Sequence, residues 1–341
     1  MATRRLQYVD IARGIAMICI VLGHLDNQNI NRVVFTFHVP LFFFITGYFI
    51  NDKLSVQDFI KSKVRTLIIP YVCTCCIIIF LGTAKGFLTE GLYGAGQSFV
   101  SWLYASLYGA GDSYTEPFYI KGIGAIWFLL ATFWGSIFLR MTLNMSKIKR
   151  LSSIIALFCV GYVTHFLVWA PFSMQAGCCA ALFMYIGYQV RQLQGLFRFM
   201  SNETRIGIGI FALLVWISFI KDFQSFWLVH CDIGRGIIDI FGCICACYIV
   251  LLISKWIEKY CDILKHSLSF LGKYSVFMLC VHIIELDLFP WTKVIQKIMD
   301  IGIPVEFELY ILIILKFMFI LPCTILCARV SFVKKIFGIK E

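Results

Sequence analysis

Uncharged apolar stretches recur along most of the chain and are separated by short segments that carry charges and prolines. Clear examples are residues 33–51, 66–84 and 122–139. A run of about 20 mostly apolar residues matches the length of a helix that crosses a lipid bilayer. The pattern therefore predicts an all-α, polytopic integral membrane protein.

The same pattern predicts ten membrane helices. Residues 151–190 contain no Asp, Glu, Lys or Arg, and this stretch is too long for one span of about 20 residues. Pro171, near its middle, predicts two helices joined by a tight turn. The mixed segment 85–124 is predicted to be an outer loop. Further spans are predicted near residues 11–25, 206–220, 234–254, 268–289 and 306–328.

The basic residues predict the orientation of these helices. With the N terminus in the cytoplasm, 21 of the 30 Lys and Arg residues fall in inner segments and seven in outer segments. Short cytoplasmic loops are enriched in these residues, and an even number of helices returns the C terminus to the cytoplasm. Asp10 and Arg13 interrupt the first apolar run, so we expect a retained helix rather than a signal peptide. Residues 1–341 are predicted to form a single transmembrane domain without a soluble accessory domain.

Composition excludes several other classes of protein. Apolar residues make up 60% of the chain, charged residues 14%, and the mean hydropathy is +0.85, whereas soluble proteins carry about 25% charged residues. The net charge of +11 reflects basic inner loops, so no nucleic-acid partner is expected. Most of the 15 cysteines lie in apolar runs, where free Cys behaves as a small hydrophobe. We therefore expect no metal and no obligatory disulfide.

The first helix carries three ionisable residues, Asp10, Arg13 and His24. Such residues inside membrane helices are costly and mark functional sites. Arg13 and His24 are 11 residues apart, which returns to within about 20° of the same helix face and spans roughly 16 Å. One stripe thus combines a phosphate-binding group near the cytoplasm with an acid/base group toward the outer side. The alternative is an Arg13–Asp10 ion pair and a helix-capping histidine.

Two further histidines are predicted in the outer half of the membrane. The second span starts near Val33 on the outer side and carries His38, which is expected to be a near neighbour of His24. His282 lies about 20 Å into a later helix, with Glu285 one turn further on. No short-spaced ligand pair favours a metal here. Histidines at one depth suit proton transfer. The pattern assigns no role to Lys316.

A basic segment follows the second span. It contains Lys61, Lys63 and Arg65, and Pro70 and Tyr71 come soon after. One interpretation is cytoplasmic anchoring of the helix. The other is a polyphosphate cradle, in which Arg offers a bidentate fork and Lys a point charge.

Three segments carry a resemblance to a known family. They are YVDIARGIAMICIVLGH (8–24), FHVPLFFFITGYF (37–49) and KVRTLIIPY (63–71), and weaker matches are IWFL (126–129), ALFMYIGYQVR (181–191) and LGKYSVFMLCVH (271–282). In this order and spacing the chain resembles the acyltransferase-3 family of bacterial membrane-bound O-acyltransferases. Within it, the chain is most similar to the fucose 4-O-acetylase-like sugar O-acetyltransferases. The family usually has Arg-x-Arg where this chain has Lys63 and Arg65.

The resemblance implies transfer of an acyl group, expected to be acetyl, from cytoplasmic acyl-CoA to a carbohydrate hydroxyl. The acceptor is expected to be a cell-surface or lipid-linked glycan, and the location the bacterial cytoplasmic membrane. Arg13, Lys63 and Arg65 would then bind the phosphates of CoA. His24 would act as general base, with a covalent acyl-histidine as a variant. The expected acceptor-binding residues are His38, Glu116, Tyr119, Trp127, His282 and Glu285.

The same residues also allow other interpretations. Tyr119 and Trp127 are also typical of aromatic anchors at a membrane interface. The same charges suit a transporter or flippase for an acyl or glycan substrate, or a binding or assembly subunit without catalysis. A measurement of thioester consumption distinguishes an enzyme from a transporter and from a non-catalytic subunit. The sequence does not predict the oligomeric state.

Overall fold

The computed structural model describes residues 6–116, 118–195 and 199–339, and its regular structure there is helical apart from one isolated antiparallel bridge between Tyr114 and Ile120. The α-helices bounded by described residues are α1 (Gln7–Gly23), α2 (Gln28–Val34), α3 (His38–Tyr48), α4 (Val56–Lys63), α5 (Ile69–Tyr108), α6 (Trp127–Thr142), α7 (Lys147–Thr164), α8 (Met174–Gln192), α9 (Asn202–Lys221), α10 (Ile237–Tyr260), α11 (Asp262–Lys273), α12 (Ser275–Leu288), α13 (Trp291–Met299), α14 (Glu308–Arg329) and α15 (Ser331–Ile336).

Six helical segments of the described chain are long and apolar enough to cross a membrane. They are Gln28–Tyr48, Val56–Tyr108, Gly124–Thr142, Asn202–Lys221, Ile237–Tyr260 and Val305–Arg329. A seventh is reached if α11 and α12, which meet at a bend of 73°, count as one span. The prediction of an all-α, multi-pass membrane protein is confirmed, but the count of ten is not.

Shorter or bent elements account for part of this difference. The predicted first span corresponds to α1, which has 17 residues, and the predicted span over 268–289 is the bent pair α11 and α12. The orientation stays a prediction. The chain ends and four of the basic residues that entered the count lie outside the described residues: Arg4, Arg5, Arg198 and Lys340.

The predicted span over residues 33–51 is broken near its start. Helix α2 ends at Val34 and α3 begins at His38, and Phe37 between them has a non-helical backbone. Pro40 lies in the first turn of α3, where its missing N–H removes no helical hydrogen bond. The break places His38 at the beginning of a helix rather than inside one.

Helix α5 is a hairpin of two helical arms, residues 69–89 and 92–108. Glu90 and Gly91 leave the helical conformation, and Gly91 has a φ of 67°, a left-handed value that glycine adopts without a Cβ clash. The prediction that all of 85–124 forms an outer loop is therefore wrong for 85–89 and 92–108. The glycines and single charges of this stretch obscured its helical character.

The two arms of α5 pack against each other. A Cβ added to Gly86 would lie 2.4 Å from the carbonyl oxygen of Gly94, so only small residues fit at this crossing. Further along the hairpin, the Tyr71 hydroxyl donates a 2.6 Å hydrogen bond to the Ser106 carbonyl oxygen. The chain that follows Tyr108 thus begins near the Tyr71 end of the first arm.

Residues 151–190 contain two helices, as predicted, although neither is among the six segments that are long and apolar enough to cross a membrane. Helix α7 ends at Thr164 and α8 begins at Met174, and Pro171 opens a single 3-10 turn between them. A Cβ added to Gly161 would lie 2.6 Å from the Gln175 carbonyl oxygen. The two helices therefore pack closely beside their turn.

The chain divides into two compact units, as far as the structure describes them. The first unit comprises Met1–Val64 and Phe128–Ser275, and the second comprises Arg65–Trp127 and Val276–Glu341. In the first unit, the buried rings of Phe43 and Phe128 stack with their centroids 5.1 Å apart. This contact joins α3 to α6.

Glycines bring the backbones of the first unit into direct contact. On α3 and α8, an added Cβ at Gly47 would lie 1.8 Å from the Met184 carbonyl oxygen, and one at Gly187 would lie 2.0 Å from that of Phe44. Helix association in membranes depends on such close packing because lipid tails are as apolar as the helices. Each helix thus supplies a glycine to the other's surface.

We expect Gly47→Ala to lower the thermal unfolding temperature of the purified protein by several degrees. The new methyl group has no room beside Met184, and overpacking of this kind costs about 1–3 kcal/mol. Gly207→Ala on α9 is the matched control because nothing lies within 4 Å of an added Cβ there. Equal unfolding temperatures for the two variants would contradict this view of the contact.

Candidate active site

Helix α1 carries the first group of candidate residues. It runs unbroken over Gln7–Gly23, and His24 follows it as the C-terminal capping residue. Arg13 and His24 are therefore held by one rigid element, roughly 16 Å apart along its axis. The Asp10 carboxylate is buried and lies 3.8 Å from the Arg13 guanidinium. The structure thus has both features of the alternative interpretation, the Arg13–Asp10 ion pair and a histidine that caps the helix.

Backbone carbonyls fix the tautomers of two histidines. His24 Nδ1 lies 2.8 Å from the Ile20 carbonyl oxygen, and His38 Nδ1 lies 2.6 Å from that of Val34. A carbonyl oxygen only accepts hydrogen bonds, so Nδ1 is the donor and Nε2 is the basic nitrogen of each neutral ring. His24 is half-buried, while His38 is buried.

Phe35 contacts the surroundings of both histidines. A Cβ added to Gly23, the residue before His24, would lie 3.3 Å from the Phe35 ring. The same ring meets His38 edge-on, with centroids 4.8 Å apart. An aromatic side chain from the break between α2 and α3 therefore helps to shape this part of the first unit.

The predicted phosphate-binding residues are divided between the two units. Lys63 ends α4 in the first unit, where it is half-buried and its ammonium lies 5.3 Å from the centre of the Phe59 ring. Its charge interacts unfavourably with that of Arg13. Arg65 belongs to the second unit and lies in a π-helical turn, Val64–Ile68, a conformation frequent at functional sites.

Arg65 also has a structural contact. It is exposed, and its Nη2 donates a 3.3 Å hydrogen bond to the Lys335 carbonyl oxygen at the end of α15. Sequence reasoning did not identify this partner because it lies 270 positions away. Any test of Arg65 as a phosphate ligand must therefore separate donor binding from support of α15.

The second unit contains a buried ionic network. His282 Nδ1 lies 2.9 Å from Glu285 Oε1, and Lys316 Nζ donates to both carboxylate oxygens at 3.1 and 3.3 Å. The Trp291 indole N–H donates to Glu285 Oε2. His282, Glu285 and Lys316 are each at most 2% exposed. One carboxylate thus orders an imidazole, an ammonium and an indole.

Sequence reasoning predicted His282 and Glu285 as neighbours but missed Lys316 and Trp291. The available signal was Lys316, a cation near the middle of α14, because a charge inside a membrane helix requires a partner. The position of Lys316 in the sequence does not identify the residue that pairs with it. Glu285 lies 31 positions earlier on another helix.

The remaining predicted acceptor-binding residues lie in the second unit with different exposures. Glu116 is exposed. Tyr119 is 63% exposed, and its carbonyl oxygen accepts a 3.3 Å hydrogen bond from the Tyr104 hydroxyl. Trp127 is only 6% exposed, so its ring serves mainly as packing at the start of α6. Only the first two present much surface to a ligand.

Lys121 is a further polar residue of this unit that the sequence did not single out. Its ammonium donates a 2.8 Å hydrogen bond to Ser101 and lies 3.5 Å from the centre of the Trp102 ring. Burial lowers the pKa of Lys121, and the negative charge of Asp287 opposes that shift. Asp287 in turn lies against Gly124, where an added Cβ would be 3.3 Å from Oδ1.

Within residues 6–116, 118–195 and 199–339, the structure has no group of three or more His, Cys, Asp or Glu side chains placed to hold a metal ion. All 15 cysteines are free thiols. The Cys73–Cys76 spacing forms no bond in α5.

These features define a multi-pass helical membrane protein with ionisable side chains on its apolar helices. The sequence matches the acyltransferase-3 family model, described as an acyltransferase domain, over residues 6–330. The chain therefore belongs to the acyltransferase-3 family and is a membrane acyltransferase. No curated protein and no solved structure matches the chain significantly.

Proposed function

We propose that this protein transfers an acyl group, normally acetyl, from cytoplasmic acyl-CoA to a hydroxyl of a cell-surface or lipid-linked carbohydrate in the bacterial cytoplasmic membrane. The observation that carries the proposal is the arrangement on α1. Arg13 lies on this helix and His24 at its end, with the tautomer of His24 set by Ile20. A cation and a base held on one rigid element suit a long donor with a phosphate end and a reactive end.

The donor's phosphates are assigned to Arg13, Lys63 and Arg65. Arg13 and Lys63 repel each other in the first unit, and a phosphate bound by both relieves that repulsion. Arg65 offers a guanidinium fork that fits a phosphate in bidentate fashion, whereas the ammonium of Lys63 acts as a point charge.

His24 is assigned as the general base. Its Nε2 takes the proton of the acceptor hydroxyl while the hydroxyl oxygen attacks the thioester carbonyl carbon. The tetrahedral intermediate then expels CoA thiolate as the carbon–sulfur bond breaks, and the thiolate gains the proton. A positioned base of this kind accelerates the reaction about 10²–10⁴-fold.

Six residues are assigned to acceptor binding. His38 lies beside Phe35 in the first unit, while Glu116, Tyr119, Trp127, His282 and Glu285 belong to the second unit. Carboxylates and neutral imidazoles form hydrogen bonds with sugar hydroxyls, and an exposed tyrosine ring such as that of Tyr119 supplies an apolar face. The ring of Trp127 is buried, so its assigned contribution to acceptor binding is indirect, through the shape of the residues around it.

The defining experiment measures thiol release from acetyl-CoA by the purified protein in lipid nanodiscs, with and without a glycan extract. Acceptor-dependent release, together with glycans heavier by one acetyl group, supports the proposal. Thioester left intact while labelled glycan or acyl substrate crosses a vesicle membrane would support a transporter instead. Glycan mass analysis of cells with and without the protein identifies the acyl group.

We expect Arg65→Ala to raise the KM for acetyl-CoA about tenfold or more, because a charge-assisted hydrogen bond to phosphate is lost. Arg65→Lys should be intermediate, since the charge remains and the fork does not. Unfolding temperatures show whether the lost contact with Lys335 matters. Arg329→Ala, another exposed arginine of the second unit, is the control. An unchanged donor KM in both Arg65 variants contradicts the assignment.

A further inference from the structure

A groove of about 270 Å³ lies in the first unit beside the contact of α1 with α11. Its walls are fixed by close backbone packing. A Cβ added to Gly14 would lie 2.2 Å from the Leu268 carbonyl oxygen, and one at Gly272 would lie 1.8 Å from that of Asp10. The groove is lined by Gln7, Asp10, His266, Ser269, Phe270 and Lys273.

The lining combines three kinds of chemistry. Lys273 supplies a cation and His266 an imidazole N–H, which together suit an anionic group. Phe270 supplies an aromatic ring on which a planar base can stack. The Asp10 carboxylate accepts hydrogen bonds from an amine. A purine nucleotide that carries a phosphate has all three complementary features.

The groove adjoins the cations assigned to the donor. Asp10 lines the groove, and its carboxylate lies 3.8 Å from the guanidinium of Arg13. Arg13 in turn is close enough to Lys63 for their charges to interact. All of these residues belong to the first unit. A ligand that occupies the groove can therefore extend toward Arg13 without leaving this unit.

We propose that this groove binds the 3′-phosphoadenosine end of the acyl-CoA donor, a proposal that rests on the proposed function. Lys273 and His266 bind the 3′-phosphate, Phe270 stacks against the adenine, and Asp10 accepts from its exocyclic amine. The pyrophosphate is left for Arg13 and Lys63. A phospholipid headgroup offers the same phosphate but no purine, so the experiment separates the two.

The test compares three thioester donors: acetyl-CoA, 3′-dephospho-acetyl-CoA and S-acetyl-4′-phosphopantetheine. Lys273→Gln should raise the KM for acetyl-CoA about tenfold and leave that of the other two unchanged. Phe270→Leu should raise the KM of both adenine-containing donors and leave that of the phosphopantetheine donor unchanged. Lys265→Gln is the matched control because Lys265 lies on α11, pairs with Asp262 and does not line the groove.

Several outcomes overturn the proposal. They are an unchanged KM for acetyl-CoA in both groove variants, an equal change for all three donors, and a KM response only to added phospholipid. Unfolding temperatures identify a variant that fails to fold. If Phe270→Leu fails to fold, Lys273→Gln still tests the proposal, because it changes a half-buried position.

Failure of the proposed function gives a different result. If the wild-type protein consumes none of the three thioesters, calorimetric binding of adenosine 3′,5′-bisphosphate still tests the groove. Binding that Lys273→Gln weakens about tenfold supports a nucleotide groove in a protein with another activity. No binding to the wild-type protein overturns the proposal independently of catalysis.

Discussion

Replacement of His24 by glutamine should lower acceptor modification about 10²–10⁴-fold while the protein stays folded and binds acyl-CoA. Glutamine keeps a hydrogen-bonding group near the Ile20 carbonyl oxygen but does not accept a proton from a sugar hydroxyl. Because His24 is half-buried at a helix end, its replacement should affect stability little. The measurement is the acetylation rate in nanodiscs at matched protein amounts, with donor binding determined separately.

His165→Gln is the matched control for this prediction. His165 also ends a helix and also directs Nδ1 to a backbone carbonyl oxygen, that of Tyr162. It should therefore reproduce any effect of losing such a hydrogen bond without affecting acyl transfer. If His24→Gln acetylates the glycan at nearly the wild-type rate, His24 is not the base.

Lys316→Met should strongly destabilise the second unit. The substitution leaves the Glu285 carboxylate buried without its ammonium partner, and removal of one member of a buried ion pair costs about 3–5 kcal/mol. Addition of Glu285→Gln should recover part of that loss because the unpaired charge disappears. Unfolding temperatures of the two single variants and the double variant form the thermodynamic cycle.

Lys293→Met, which removes an exposed lysine from α13 in the same unit, is the control for the loss of a positive charge alone. A Lys316→Met protein that unfolds at the same temperature as the Lys293→Met protein would show that the ion pair contributes nothing. A double variant no more stable than Lys316→Met would show that the unpaired carboxylate is not the source of the loss.

Local pattern was sufficient for the features that one segment determines. The first apolar run predicted the helix that carries Arg13 and ends just before His24, and Pro171 predicted the turn between α7 and α8. These are consequences of helix geometry and proline chemistry, which depend on few neighbours. The family resemblance likewise rested on short contiguous segments, and the match over residues 6–330 supports it.

Features that depend on distant partners were not predictable in this way. The second arm of α5 is stabilised by contacts such as that of Tyr71 with Ser106, which no hydropathy pattern reveals. The position of Lys316 in an apolar helix indicated a charge inside the membrane but did not identify Glu285 as its partner. The close contact of α1 with α11 depends on Gly14 and Gly272, and a glycine in a helical pattern does not specify which backbone approaches it.

Because α1 is uninterrupted, the number of residues between Arg13 and His24 sets the distance between them. Every residue added or removed between Arg13 and His24 changes their separation by 1.5 Å and turns His24 about 100° around the axis. Exchange of a side chain in this interval leaves the helix length unchanged, but a change in length rotates the imidazole away from the helix face of Arg13. Conservative substitutions at the half-buried positions Ile15, Cys19 and Leu22 should therefore be tolerated far better than insertions or deletions between Arg13 and His24.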